Sequence, residues 1–125
     1  MTTLGNHLKL QVAEEHRDQV HAFYLGLLGW SSIPSPAPNL LLVQAPGGET
    51  LGIFFVPAGQ ALTIEQHLAG TWLEVMTEDV DALLARLRAA GVKEIEYFDK
   101  AHVYFHSPGG PVFRVAPESE RRPQP

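Results

Sequence analysis

The sequence of 125 residues contains no cysteine. Disulfides, thiolate nucleophiles and cysteine-based zinc or iron–sulfur sites are therefore excluded. Charge is also scarce, because charged residues make up 18% of the chain, and its formal net charge is -5. The lysines and arginines are scattered rather than clustered, which argues against nucleic acid or an anionic membrane surface as the main partner.

Long apolar runs are missing as well. No run approaches the ~20 residues of a membrane span, and the N-terminal MTTLGNHLKL lacks the basic region and apolar core of a secretory signal. Hydrophobic residues nevertheless make up 45% of the chain, which favours a folded globular protein. We therefore expect a cytoplasmic protein with no membrane or nucleic-acid partner. Residues 116–125, which include the polar ESERRPQP, are expected to form a C-terminal tail.

The first half of the chain changes its hydrophobic period from two to that of a helix. HLKLQV, from His7 to Val12, alternates strictly and predicts a half-buried strand. From about Glu14 to Leu28 the apolar residues follow a helical stripe, and Gly29 stands where a C-terminal cap belongs. The prolines between residues 34 and 38 favour an edge strand or a loop. NLLLVQ and TLGIFFV, on either side of the Pro-Gly-Gly at 46–48, predict a hairpin.

The second half repeats this order. TWLEVMT predicts a strand, and DVDALLARLRAAG predicts a helix that begins near Thr77 or Asp79 and ends at Gly91. EIEYF, HVYFH and VFRV then predict three short strands, the last after a second Pro-Gly-Gly turn. The helix stripes and the two turns share an offset of about 60 residues, which indicates a duplication. We predict an α+β fold of two paired βαβββ modules, at about 4–57 and 70–115, in one domain spanning 4–115.

Several short motifs carry a resemblance to a known family. They are Asn6-His7, Phe23-Tyr24 with Leu28-Gly29-Trp30, Asp79-Val80-Asp81, and Tyr104-Phe105 with Pro108-Gly109-Gly110. From about Leu4 to Val115 the chain resembles the vicinal oxygen chelate superfamily. That group contains glyoxalase I, fosfomycin-resistance proteins, extradiol dioxygenases and bleomycin-binding proteins. The resemblance implies modules whose mixed sheets curl into a cup with the helices outside, a ligand inside the cup, and a homodimer.

The resemblance also locates the usual metal ligands. Metal-binding members carry a His at the start of the first strand, a His or Gln at the start of the fifth, and a Glu in the last. These positions fall on His7, Trp72 and Arg114, and an acid that some members carry in the fourth strand falls near Gly52. Trp cannot ligate a metal and Arg repels one, so only His7 matches. We therefore expect no metal and no other cofactor.

A non-standard divalent metal site remains as an alternative. His7, Glu74 and one of His102 or His106 would supply nitrogen and oxygen ligands. His102 and His106 cannot both bind one ion, because strand residues four apart are ~13 Å from each other.

Alternation along the strands, combined with the resemblance, predicts which side chains line the cup. They are His7, Lys9, Gln11, Trp72, Glu74, His102, Tyr104, His106 and Arg114. Such polar groups are costly to bury unless they pair or face water or a ligand. Structural interpretations stay open beside this one. Arg114 or Lys9 could form an ion pair with Glu74, Trp72 could be a packing anchor, and a shift of register would turn the histidines to solvent.

Three functions are compatible with this lining. The first is a metal-independent protein that binds a small polar or anionic molecule through Lys9, Gln11, Trp72, His102, Tyr104 and Arg114. The second is a lyase, isomerase or dioxygenase-type enzyme. There His7 or His106 is the general base, Glu74 orients it, and Arg114 stabilises an enolate or oxyanion. The third is a drug-binding module that resembles bleomycin-resistance proteins, although Lys9 and Arg114 do not suit a cationic drug.

Overall fold

A computed structural model of the chain describes residues 1–123, so the last two residues of the predicted tail lie outside the described part. The strands are β1 (His7–Ala13), β2 (Ser31–Ile33), β3 (Leu40–Gln44), β4 (Thr50–Val56), β5 (Trp72–Thr77), β6 (Lys93–Ile95), β7 (Val103–His106) and β8 (Val112–Pro117). The α-helices are α1 (Arg17–His21), α2 (Ile64–Gly70) and α3 (Val80–Ala89). Short 3₁₀ turns cover Glu14–His16, Ala58–Gln60 and Glu118–Glu120, and a π-helical segment covers Ala22–Leu27.

The chain forms two compact units. The first contains Met1–Leu62 and the turn Pro108–Gly110, and the second contains Thr63–Ser107 and the chain from Pro111 onward. The strand order is β1-β4-β3-β2 in the first sheet and β5-β8-β7-β6 in the second. In each sheet the first pair is parallel and the other pairs are antiparallel. The predicted α+β class and the two βαβββ modules are confirmed.

The core of the first unit follows the two periodicities in the sequence. Val12 on β1, Val43 on β3 and Ile53 on β4 are fully buried. Val20 and Phe23, from the predicted helical stripe, are buried too. These apolar side chains leave water together, which is the main favourable term in folding the unit.

The first helical region is less regular than the continuous helix expected from Glu14 to Leu28. Only Arg17–His21 is α-helical, and the segment after it widens to π-helical turns in which the amide of Leu28 donates to the Phe23 carbonyl at 2.9 Å. The apolar stripe does not distinguish these geometries, since both present one face to the core. Gly29 ends the segment with a φ of 69°, as expected of a C-terminal cap.

The core of the second unit contains a pair of aromatic rings. Phe105 on β7 and Phe113 on β8 are paired across the strands, with ring centroids 5.6 Å apart. Leu84 and Leu87 of α3 are buried with them in the core of the chain. The α3 N-cap is Asp79, one of the two predicted candidates, whose carboxylate accepts from the Ala82 amide at 3.0 Å. The strand predicted over EIEYF is shorter than expected, because β6 already ends at Ile95.

Helix α2 was not predicted, although its start carries a sequence signature. The Thr63 hydroxyl accepts from the Gln66 amide at 3.2 Å, and the Gln66 side chain accepts from the Thr63 amide at 2.8 Å. This reciprocal pair is a capping box, and the spacing Thr-x-x-Gln was visible in the sequence. No helix within residues 1–123 combines the length and apolar character that crossing a membrane would need.

The two Pro-Gly-Gly turns close equivalent hairpins, and the predicted hairpin of β3 and β4 is confirmed. The Ala45 amide donates to the Glu49 carbonyl at 2.8 Å, and the Ser107 amide donates to the Pro111 carbonyl at 3.1 Å. The turns differ in detail, since φ is positive at Gly48 in the first and at Gly109 in the second. A Cβ on Gly109 would also come within 2.6 Å of the His16 ring, so glycine is required there by both conformation and space.

Candidate functional site

A polar row crosses the second sheet. Glu74 on β5 is paired with Arg114 on β8, and Arg114 is paired with Tyr104 on β7. The register therefore places three polar side chains beside one another on the face that alternation predicted. Trp72 precedes Glu74 by two residues and shares this face.

Arg114 is held from two sides. Its Nε donates to Glu74 Oε2 at 2.9 Å, and its Nη2 donates to the same oxygen. The guanidinium carbon lies 4.1 Å from the centroid of the Trp72 ring, within the range of a cation–π contact. The ion pair with Glu74, one of the structural interpretations of the sequence, is therefore present.

The environment of Arg114 keeps it cationic. Burial acts to lower the pKa of Arg114, but its hydrogen bonds with Glu74 and Tyr104 raise that pKa above the usual value. The side chain retains 23% of its exposed surface. A fixed guanidinium that still meets solvent can attract an anion without first paying to order its own side chain.

Asp99, in the loop between β6 and β7, connects this row to a histidine. Its Oδ2 accepts from the Tyr104 hydroxyl at 2.9 Å, lies 2.8 Å from His102 Nδ1, and lies 3.9 Å from Arg114 Nη1. The His102 hydrogen bond, followed by those of the Ala101 amide and the Tyr104 hydroxyl, lowers the pKa of Asp99 to about 2. Burial, and then the bond to Asp99, raise the pKa of Tyr104. Asp99 is thus ionised and accepts from several donors.

His102 lies between two carboxylates. Its Nε2 is 2.8 Å from Glu120 Oε1, and its Nδ1 contacts Asp99. Both contacts favour the imidazolium, so they raise the pKa of His102, with Glu120 as the larger cause. The structure thus shows the His102 imidazole oriented by carboxylates. The sequence had instead suggested His7 or His106 for that role, with Glu74 as the orienting group.

Asp99 and Glu120 were missed in the sequence. Asp99 lies in a loop with no hydrophobic period, and Glu120 lies in the predicted tail, on the 3₁₀ turn that follows β8. A weak signal existed for Asp99, because it stands three residues before His102 and can reach back over a short turn. No local signal connects Glu120 with His102, since eighteen residues separate them.

A pocket of about 390 Å³ adjoins this cluster. Its lining consists of Glu74, Met76, Arg114, Glu120, Arg121 and Arg122. Arg121 pairs with Glu118 within the same turn. The volume lies within the range of small-molecule sites.

His106 occupies the same face of the second sheet, one row away from Tyr104. The register pairs it with Val112, and Val112 is paired with Trp72. Its ring centroid is 6.0 Å from that of His67 on α2. Burial lowers the pKa of His67.

The remaining predicted residues, His7, Lys9 and Gln11, belong to the first unit. They share one face of β1 and are all exposed. Lys9 Nζ lies 5.5 Å from the centroid of the Phe54 ring. The other six predicted lining residues belong to the second unit.

Of the strand positions at which the resemblance places metal ligands, only His7 carries a side chain that can bind a metal. His7 begins β1 and Trp72 begins β5. Gly52 on β4 lies two residues after the residue paired with His7, and Arg114 on β8 lies two residues after the residue paired with Trp72. Indole offers no acceptor, guanidinium is a cation, and Gly52 has no side chain. Within residues 1–123, no group of three or more His, Asp or Glu is arranged to hold an ion.

Comparison with known proteins identifies the fold. A scan against protein-family models and a search of the curated proteins gave no match. Among solved structures, the chain is similar to the fosfomycin resistance protein FosX from Listeria monocytogenes, with 16% identity, a TM-score of 0.66, and coverage of 98% of this chain and 97% of that one. It is also similar to glyoxalase I from Leishmania major, with 20% identity, a TM-score of 0.67, and coverage of 94% and 88%.

A third structure bears the superfamily name. It is a member of the glyoxalase/bleomycin resistance protein/dioxygenase superfamily from Sphaerobacter thermophilus, with 17% identity, a TM-score of 0.65, and coverage of 94% of this chain and 98% of that one. The chain therefore has the vicinal oxygen chelate fold that its sequence resembles. This fold hosts many chemistries, so the function must be argued from the site.

Proposed function

We propose that this glyoxalase-like protein binds a small anionic molecule, without a metal ion, in the pocket of its second unit. One observation carries the proposal. At the strand position where metal-using relatives carry an acidic ligand, Arg114 presents a guanidinium that Glu74 and Trp72 hold in place beside the pocket.

The balance of charges in the pocket supports an anion. The lining contains three arginines, Arg114, Arg121 and Arg122, against two carboxylates, Glu74 and Glu120, so the lining itself carries one net positive charge. His102 lies next to this group, since its Nε2 contacts the lining residue Glu120. A cationic drug would meet this net positive charge, which makes the drug-binding alternative less favourable.

Two anions of different chemistry test the proposal. Titration calorimetry at low salt with butyrate and with inorganic phosphate should show saturable binding of at least one of them. Arg114→Gln should weaken that binding about tenfold, the value of one lost charge-assisted hydrogen bond. Arg122→Gln should weaken that binding severalfold. Because Arg122 is exposed, this second variant removes a charge without disturbing the fold, so it controls for a folding defect in Arg114→Gln. Lys9→Gln in the first unit is the matched control and should leave binding unchanged.

Native mass spectrometry of protein purified without added ions completes the test. It should report no stoichiometric metal. It should also report a mass twice that of the chain, because the superfamily resemblance implies a homodimer. Stoichiometric metal, or no saturable binding of either anion, would overturn the proposal.

A further inference from the structure

We infer that the ligand is a small monocarboxylate, and that it binds His102 at the position that the Glu120 carboxylate occupies in the structure. This inference rests on the proposed function and names the substrate class of the same site. The observation behind it is a carboxylate of the chain itself, bound to an imidazole at the edge of an arginine-lined pocket.

The His102–Glu120 contact has the geometry of ligand recognition. Glu120 Oε1 lies 2.8 Å from His102 Nε2, while Asp99 engages Nδ1 and orients the ring. Only 14% of the His102 side chain is exposed, so its outer nitrogen needs a partner when the imidazole is charged. That partner must be an acceptor, and a carboxylate oxygen fills the position in the structure.

Glu120 can leave this position at little cost to the fold. Its side chain is 47% exposed, so its carboxylate can be hydrated once released. The 3₁₀ turn that carries it is closed internally, by the Arg121 amide donating to the Glu118 carbonyl at 3.0 Å and by the Arg121–Glu118 ion pair. Release of Glu120 therefore leaves these bonds of the turn intact.

The charges favour a monoanion over a dianion. Arg114 is offset by Glu74, and the charged form of His102 is offset by Asp99. With Glu120 displaced and Arg121 offset by Glu118, Arg122 is the cation that remains in the lining among the residues that the structure describes. One negative charge balances it, whereas the second charge of a phosphate dianion would face Glu74 and Asp99 without compensation.

The remaining lining favours a short apolar group on the acid. Met76, two residues after Glu74 on β5, is the apolar member of the pocket lining. A flexible thioether adapts to small alkyl groups of varied shape. Butyrate, with one carboxylate and three further carbons, is a probe that matches both features.

Glu120→Gln tests the inference, because it removes the competing charge and keeps the size of the side chain. It should tighten butyrate binding about tenfold by titration calorimetry, since the ligand no longer displaces a charged hydrogen bond. Glu65→Gln, on the exposed first turn of α2 in the same unit and outside the pocket lining, is the matched control and should change affinity less than about twofold. Binding of butyrate to the unsubstituted protein should also shift the ¹⁵N resonance of His102 Nε2, while Glu65→Gln alone should not.

The outcomes separate this inference from the proposed function. Glu120→Gln should raise the affinity for butyrate more than it raises the affinity for phosphate, and more than Glu65→Gln raises the affinity for butyrate; this result supports the inference. Equal gains in the two variants, or in the two anions, indicate a general charge effect and overturn it while anion binding stands. Butyrate binding that leaves His102 Nε2 unshifted overturns it as well. If neither anion binds any of these proteins, the proposed function fails with it.

Discussion

The two units share one strand order but carry different chemistry in the same row of the sheet. The register aligns Lys9–Gly52–Leu42 in the first unit and Glu74–Arg114–Tyr104 in the second. The first row contains one exposed cation, a position without a side chain and a leucine. The second contains an ion pair and a buried tyrosine. Duplication therefore supplied equivalent positions, and substitution at those positions decided which unit carries the candidate site.

The two units also differ in the side chains at one pair of equivalent core positions. The register makes Phe105 and Phe113 of the second unit equivalent to Val43 and Leu51 of the first. All four side chains are buried. Aromatic rings bury more area than aliphatic side chains, so the shorter strands of the second unit are anchored by larger groups. The row of polar groups in that unit lies on the opposite face of its sheet.

The largest expected effect on stability comes from the Phe105–Phe113 ring pair. Phe113→Ala should lower the free energy of unfolding by about 4 kcal/mol, because it leaves a cavity beside Phe105 in addition to losing the buried ring. Urea denaturation followed by tryptophan fluorescence measures this change. Leu51→Ala, at the equivalent position, is the control and should cost about 3 kcal/mol. A loss below about 1 kcal/mol in Phe113→Ala would contradict the assigned role of this ring pair.

A smaller effect is expected from the polar row. Glu74→Gln should lower the free energy of unfolding by about 2 kcal/mol, since it leaves the partly buried Arg114 without its carboxylate. Lys9→Gln, in the matching row of the first unit, should change it by less than about 0.5 kcal/mol, because that side chain is exposed. Chemical denaturation of both variants checks the contrast. Equal losses would show that the two rows contribute alike and that the ion pair adds nothing.

The smallest effect is a dependence on pH. Asp99 and Glu120 raise the pKa of His102 above that of the unfolded chain, which is about 6.5. The stabilisation from His102 is therefore complete below that pH and is lost as the pH rises through the higher folded-state pKa. The stability difference between the protein and His102→Gln should accordingly shrink in thermal unfolding as the pH rises above about 6.5.

His67 provides the control of opposite sign. Burial lowers its pKa, so the unfolded chain takes up the proton first as the pH falls, and the folded protein loses stability. The stability difference between the protein and His67→Gln should therefore grow as the pH rises. If the two differences followed the same trend, the carboxylate contacts of His102 would not govern its ionisation.

Much of the fold could be predicted from the sequence, because its signals are local. Alternation placed β1 and β5, the helical stripes placed Val20 and Leu84 in the core, and the offset between the Pro-Gly-Gly turns indicated the duplication. Strand alternation, combined with the superfamily resemblance, also placed Glu74, Tyr104 and Arg114 on one face. A period of two or 3.6 depends on the backbone geometry of neighbouring residues, so it is visible without tertiary structure.

Tertiary structure decided which of these polar groups meet and which residues join them. The three-dimensional structure showed that Arg114 donates hydrogen bonds to Glu74 and lies over the Trp72 ring. Asp99 and Glu120 reach His102 from a loop and from a turn after the last strand, where no hydrophobic period constrains the chain. Sequence alone therefore determined the folding units and the face of the sheet. The contacts at the candidate site depend on where loops close in space, which no local pattern specifies.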